Sequence, residues 1–309
     1  MNQTAILLIT CPDRKGLVAR VATLLYQRGA NILHADQHQD HQAGLFFMRV
    51  EWALDSGNAP GRDAGNNAGS NAGASSAAFD VDAFRAEFAP IAAELQMTWR
   101  LELSSARPRV AIFVSQYMHC LADLLHRHLA GELGCDIRMI VSNHEAARPL
   151  AGFYKLPFHY TPFPKPPASP GAKAERELAQ IDLLEAEKID LVILARYMQI
   201  LSADFVGHFP NRVINVHHSF LPAFVGAKPY HQAFERGVKL IGSTSHYVTA
   251  ILDDGPIIEQ DVMRVSHRDQ LEDLVEKGRD LERIVLSRAV KWHLDHRILR
   301  YGDKTVVFN

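Results

Sequence analysis

Residues 212–222 read RVINVHHSFLP, an apolar run of strand length that stops abruptly in polar residues. A short continuous apolar run is what a strand buried on both faces shows. Alternation along such a strand puts Asn215 and His217 on one face, with His218 and Ser219 at its carboxyl end. Open α/β sheets bind ligands at the carboxyl ends of their strands. An amide donor and an imidazole facing one spot suit a carbonyl oxygen that gains negative charge during reaction. The same residues would also serve to cap a loop.

Working outward, RVAIFV (109–114), IRMIV (137–141) and LVILA (191–195) repeat the apolar pattern, so RVINV (212–216) reads as the fourth strand. Helical stretches are expected at Cys120–Leu133 and at about 173–187, with a Pro-rich segment at 161–171. Strands alternating with helices predict a doubly wound, mostly parallel α/β sheet. Further on, 239–248 and 256–265 read as strands and 269–293 as a helix, and 297–301 with 304–308 as a hairpin around Gly302-Asp303.

The front of the chain has another rhythm. AILLITC (5–11) reads as a strand, and Leu17, Val18, Val21, Leu24 and Leu25 recur at helical spacing. Strands are expected at 31–39 and 44–53, a helix through Val81, Phe84, Phe88 and Ile91, and a strand at 96–103. The order β-α-β-β-α-β is that of a ferredoxin-like unit. Within it, residues 56–77 are almost all Gly, Ala, Asn and Ser, so they read as a flexible loop. The expected organisation is a regulatory unit at 1–103, a linker at 104–108 and a larger unit at 109–309.

Lys plus Arg number 33 against 35 for Asp plus Glu, so there is no basic excess for a nucleic-acid backbone. No apolar stretch approaches the roughly 20 residues that span a bilayer. Three widely spaced cysteines and no positive leader before the first apolar run fit the cytoplasm. Although there are 16 histidines, no His/Cys/Asp set has a convincing zinc spacing, and no metal is expected.

A second polar cluster is Thr244-Ser245-His246-Tyr247 with Leu252-Asp253-Asp254-Gly255-Pro256. An Asp before Gly is usually a turn residue; beside a histidine site it becomes a candidate general base. The stretch INVHHSFLPAFVGAKPYHQAFERGVKLIGSTSHYV (214–248), with LDDGPIIEQD (252–261), resembles the formyltransferase fold family. The shared signature is Asn-x-His-x-Ser, then a histidine, then an Asp in an Asp-x-Gly turn. Asn215, His217 and Asp253 match the family's catalytic positions, and His246 the intervening histidine.

Two departures from the transferases point to the deformylase branch. Ser115-Gln116-Tyr117-Met118-His119-Cys120 has no glycine where the ribonucleotide transferase holds a phosphate, and His218 stands where the transferases carry proline. The segments His119-Cys120-Leu121, HHSFLP and Lys228–Ala233 also look like the deformylase. Cys11–Leu17 with Gly44–Arg49 resembles the ACT regulatory domain, so the resemblance covers nearly the whole chain.

The resemblance implies hydrolysis of 10-formyltetrahydrofolate, a step of one-carbon metabolism linked to purine biosynthesis, with folate as substrate and no cofactor. It implies a folate loop at Arg196, Tyr197, Met198, Ile200 and Leu201. His119, Cys120, His218, Ser219, Gly226 and His246 are further candidate pocket residues. Cys120, at a predicted helix start that would stabilise a thiolate, is expected to be a pocket wall and not a nucleophile. The ACT resemblance implies a small amino-acid effector, with Asp13, Lys15, Gly16 and Leu17 as candidate contacts, and a homo-oligomer, expected to be a tetramer. A formyltransferase with an amine acceptor and a non-catalytic folate or amino-acid sensor are the rival expectations.

Overall fold

The computed structural model describes residues 3–54, 79–163, 171–223 and 229–309. The Gly/Asn-rich stretch 56–77, most of the Pro-rich segment, and Gly226 lie outside the described residues. The chain divides into two compact units, 1–106 with 308–309, and 107–307. The last two residues thus group with the first unit, where the sequence reading had placed them in the second.

The first unit runs β1 (Thr4–Pro12), α1 (Leu17–Gln27), β2 (Asn31–Asp40), β3 (Leu45–Ala53), α2 (Val81–Glu94) and β4 (Thr98–Leu103). Its sheet has the order β2-β3-β1-β4 and every pair is antiparallel. That is the ferredoxin-like arrangement expected from the element order. The helices cover one face through Leu17, Val21, Leu25, Phe84 and Phe88, which pack on Leu7, Ile9, Val50 and Trp52. Asp80 caps α2 by accepting from the Ala83 amide at 2.9 Å.

The second unit contains β5 (Arg109–Val114), α3 (His119–Leu129), β6 (Asp136–Ser142), α4 (Arg148–Phe153), β7 (Phe158–Tyr160) and α5 (Ala172–Ala186). It continues with β8 (Leu191–Leu194), α6 (Ala203–His208), β9 (Val213–His217), α7 (Pro229–Glu235), β10 (Leu240–Tyr247), β11 (Ile257–Arg264) and α8 (Leu271–Leu294), then the hairpin β12 (Ile298–Tyr301) and β13 (Lys304–Val307). The seven-stranded sheet has the order β11-β10-β9-β8-β5-β6-β7. Strands β5 to β9 are parallel, and β10 and β11 are antiparallel additions at one edge.

Period-2 alternation sorts the sheet's side chains onto two cores. Val110, Ile112, Val114, Leu191, Ile193, Ile214 and Val216 join the layer that includes α3 and α8. Ala111, Phe113, Val192, Leu194 and Val213 join the layer that includes α5 and α6. Asn215 and His217 therefore share the α5/α6 face with Val213, at the end where the core gives way to open space.

Several elements differ from expectation. α3 ends at Leu129, not Leu133, because Gly131 turns the chain through a positive φ of 78°. The three-residue edge strand β7 and the short helices α4, α6 and α7 carry too little periodicity to be read from sequence. RVINV is thus the fifth strand of this sheet in chain order, and it runs on through His217.

Phe113 is fully buried, with ring contacts to Tyr197 at 5.2 Å and Phe205 at 6.1 Å. Replacing Phe113 with Ala is expected to cost about 3–5 kcal/mol, measured by denaturant unfolding followed by circular dichroism. A loss below about 1 kcal/mol would show that this core collapses without penalty.

Candidate active site

The strand order reverses direction between β5 and β8: the chain moves from β5 outward to β6 and β7, then returns to β8 on the other side. Such a switch point opens a crevice at the carboxyl ends. Ser115, just past β5, ties the crevice together. Its amide donates to the Arg196 carbonyl at 3.2 Å. Its hydroxyl accepts from the Met198 amide at 2.9 Å and donates to Asn143 Oδ1 at 2.7 Å. The segment 196–201 is thereby held as one wall of a cavity of about 280 Å³.

The opposite wall comes from 248–253, and the polar floor from Asn215, His217, His218 and His246. β10 sets this floor. His246 sits directly across from Asn215 in the antiparallel register. Three buried hydroxyls hold alternate carbonyls of the polar stretch: Ser245 Oγ donates to Asn215 O at 2.9 Å, Ser243 Oγ to His217 O at 3.0 Å, and Thr244 Oγ1 to Ser219 O at 2.8 Å.

His246 Nδ1 lies 3.0 Å from the Tyr247 carbonyl, which only accepts, so Nδ1 carries the proton. Burial pushes the His246 pKa down, leaving Nε2 as an acceptor. Asn215 Nδ2 donates to it across 3.2 Å, which fixes the amide's orientation.

Asp253 enters from the loop after β10. It adopts a positive φ of 55°. Two residues on, a Cβ on Gly255 would lie 1.7 Å from the Tyr247 carbonyl oxygen, so only glycine fits. Asp253 Oδ2 meets His217 Nδ1 at 3.2 Å, while Oδ1 stands 3.9 Å from His246 Nε2, too far for a hydrogen bond. Burial works to raise the Asp253 pKa, but the His217 hydrogen bond and the three nearby histidines outweigh it and hold the carboxyl below its usual range. His218 is pushed down to about 3 by burial and by the Arg196 charge, so it is neutral near pH 7.

Of the residues singled out from sequence, Asn215, His217, Asp253, Arg196, Tyr197, Met198, Ile200, Leu201, His218 and His246 all line this cavity. Ser219, His119 and Cys120 do not. Ser219 is buried, and its hydroxyl closes a turn by donating to Ala223 O at 2.6 Å. Cys120 is a core residue, 1 % exposed, and not a pocket wall. Burial and Glu282 push its thiol well above the ordinary value, which removes the thiolate character that a helix start had suggested. In the first unit, Asp13, Lys15 and Gly16 form the exposed turn between β1 and α1, and Leu17 points into that unit's core.

His119 belongs to a cluster that sequence reasoning missed. Glu282, on α8, is 1 % exposed. It accepts from Tyr230 Oη at 2.6 Å, pairs with His119 Nε2 at 2.7 Å, and meets Arg196 Nε at 3.2 Å as an ion pair without hydrogen-bond alignment. Burial opposes its ionisation, yet His119, Arg196 and Tyr230 keep it ionised. The sequence signal was an acid on the helix's buried stripe, between Leu281 and Val285. His119, Cys120 and Glu282 bring ligand atoms within 4.8 Å of one another. With a guanidinium already on that carboxylate and the thiol protonated, the cluster is a hydrogen-bonded ion network and a poor cation site.

Two outcomes follow from this geometry. Gly255→Ala is expected to displace the Asp253 loop and lower turnover at least about a hundredfold, since misplacing a catalytic group by about 1 Å costs that much; steady-state kinetics with a circular-dichroism check measures it. Asp253 has a folded pKa below its unfolded 3.8. Its pairing therefore stabilises the fold above that pH and loses its contribution as pH falls through the folded value. The melting-temperature gap between wild type and Asp253→Asn should be constant near neutrality and shrink below about pH 4; a gap independent of pH would refute the ionised pairing.

Comparison with known proteins places this geometry. The formyl transferase family profile matches residues 108–290 and the ACT domain profile residues 5–51. Formyltetrahydrofolate deformylase from Synechocystis sp. is 51% identical over 99% of both chains. That from Bacillus subtilis is 48% identical over 98% of this chain and 93% of its own. The crystal structure of a formyltetrahydrofolate deformylase from Pseudomonas syringae superposes with a TM-score of 0.87 at 46% identity, covering 100% of this chain and 95% of its own. The chain belongs to the formyltetrahydrofolate deformylases, the members of the formyl transferase family that join an ACT domain to the catalytic fold.

Proposed function

We propose that the chain hydrolyses 10-formyltetrahydrofolate to formate and tetrahydrofolate, with Asn215, His217 and Asp253 as its catalytic residues. The observation that carries this reading is the convergence of an oriented amide, a carboxylate-paired imidazole and an ionised carboxylate on one cavity, in a chain whose full-length relatives bear the deformylase name. Asn215 has one amide hydrogen committed to His246 and one to offer a formyl oxygen. His217, anchored through Nδ1 by Asp253, presents Nε2 to the same oxygen. Asp253 orients the attacking water, directly or by relay. Each oxyanion donor of this kind contributes about 3–4 kcal/mol. The pterin lies against 196–201, whose buried Tyr197 and Leu201 give a firm wall and whose exposed Met198 and Ile200 give an apolar rim. Transfer to an amine is not favoured, because no glycine opens the 115–120 turn to a phosphate.

In the first unit, β2 is exposed along nearly its whole length at the sheet edge, which supports assembly of a homo-oligomer, a tetramer, through that edge. The exposed β1–α1 turn supports binding of a small amino acid there, by analogy with ACT domains. The three cysteines are free thiols, which supports a cytoplasmic setting. Among the described residues no helix is long and apolar enough to cross a membrane.

Purified protein incubated with 10-formyltetrahydrofolate and no amine is expected to release formate and tetrahydrofolate in equal amounts. Asp253→Ala should nearly abolish release, and Asn215→Ala should lower kcat about 10²–10³-fold. Turnover only on addition of an amine would instead mark a transferase.

A further inference from the structure

Arg196 stands apart from the oxyanion and water-orienting groups. It is 8 % exposed, yet it lines the cavity that holds Asn215, His217 and Asp253. Among the described residues lining that cavity, it alone carries a permanent positive charge. Its backbone adopts a positive φ of 62°, a conformation that costs a non-glycine residue energy and is kept only where the surroundings impose it. Glu282 engages the guanidinium through Nε, and the Tyr117 ring lies 5.3 Å from its Cζ. No hydrogen bond from Nη1 or Nη2 to a described residue accompanies these contacts. A guanidinium whose Nε faces Glu282 keeps its two Nη groups as a planar fork, the geometry that matches a carboxylate.

The reaction generates such a group. Water oxygen bonds to the formyl carbon, and the carbonyl electron pair moves onto its oxygen. Collapse breaks the carbon–N10 bond, N10 takes one of the two protons of the attacking water, the other is released to solvent, and formate departs with two equivalent oxygens and one negative charge. This anion forms in a cavity that already contains the Asp253 carboxylate, so an opposing charge is required at short range. His218 does not supply it, because burial and Arg196 itself keep its ring neutral.

We propose that Arg196 is an anion-binding residue that receives the carboxylate of formate as the carbon–nitrogen bond breaks, with Glu282 as the positioning residue that aims it. The proposal rests on the deformylase reading for the identity of the anion. Glu282 divides its charge among three partners, His119, Tyr230 and Arg196, so the guanidinium retains attraction for a second carboxylate. Lysine at the same place would offer a point charge without the fork.

Titration of the full chain with ¹³C-formate, followed by NMR line broadening, tests binding without turnover. Wild type is expected to show saturable broadening. Arg196→Gln should weaken formate binding about tenfold or more, the loss expected for a charge-assisted pair. Arg196→Lys should fall between the two, and melting curves confirm that both variants fold. Formate inhibition of turnover should weaken in the same order. Equal formate affinity in wild type and Arg196→Gln, or no formate binding by a wild type that releases formate, would overturn the proposal. Failure of the deformylase reading is separate: it appears as absence of formate release from 10-formyltetrahydrofolate, whatever the titration shows.

Discussion

The antiparallel pairing of β10 with β9 is the constraint on which the site depends. A parallel strand alone would present Asn215 and His217 but leave both side chains free to rotate. β10 supplies His246 opposite Asn215, and its run Ser243-Thr244-Ser245 supplies hydroxyls that clamp three carbonyls of the polar stretch. Each such bond contributes about 1 kcal/mol net, but leaving a buried carbonyl unpaired costs more. The clamps therefore select one conformation more than they add stability. β10 also delivers the Asp253 loop, closed by the Tyr247 amide donating to Pro256 O at 3.0 Å.

Two carboxylates, Asp253 and Glu282, then divide the electrostatics around the cavity. Asp253 is compensated by imidazoles and Glu282 by a guanidinium, an imidazole and a phenol. Buried ions are tolerated only when paired and hydrogen-bonded, because desolvation would otherwise dominate. The partners differ in consequence. Imidazoles can exchange protons during turnover, whereas arginine stays charged at any working pH. Asp253 thus has only titratable partners, whereas Glu282 has one partner of fixed charge, Arg196. His218 lies between them, its ring 5.2 Å from that of His217 and 5.8 Å from that of Tyr230.

Much of this was legible in the residues. The apolar runs at 109–114 and 137–141 and the break of RVINV into Asn-Val-His-His-Ser announced the parallel sheet and its reactive end. Alternation alone put Asn215 and His217 on one face. Elements of three to seven residues, such as β7, α6 and α7, were not legible, since they hold too few periods for a pattern and form because the surrounding layers leave them one path. Glu282 was hidden for a different reason. It is one of five acids in a 24-residue amphipathic helix, and its partners come from the tertiary fold, which brings Tyr230, 52 positions away, and His119, 163 positions away, onto it. Cys120 misled as a pocket-wall residue because a motif at a helix start does not show which way the side chain faces, and here the core closes over it.

Backbone strain separates the working parts from the scaffold. Among the described residues, seven non-glycine residues take a positive φ. Gln96, Lys155, Lys188 and His296 each follow the C-cap of a helix, where a left-handed residue is the ordinary way to end it. Asn211 sits in the turn leading into β9, and asparagine tolerates that conformation well. Arg196 and Asp253 end no helix. Both lie at the rim of the cavity, and each carries a charge into it from a left-handed turn. Such turns cost about 1–3 kcal/mol each and persist only where the surroundings over-determine them. The surroundings do so here: the Ser115 amide holds the Arg196 carbonyl, and Gly255 allows the Asp253 loop to close against Tyr247. The fold has thus placed strain at the two positions that aim opposite charges at one small cavity, where a tetrahedral anion must form and a formate must leave.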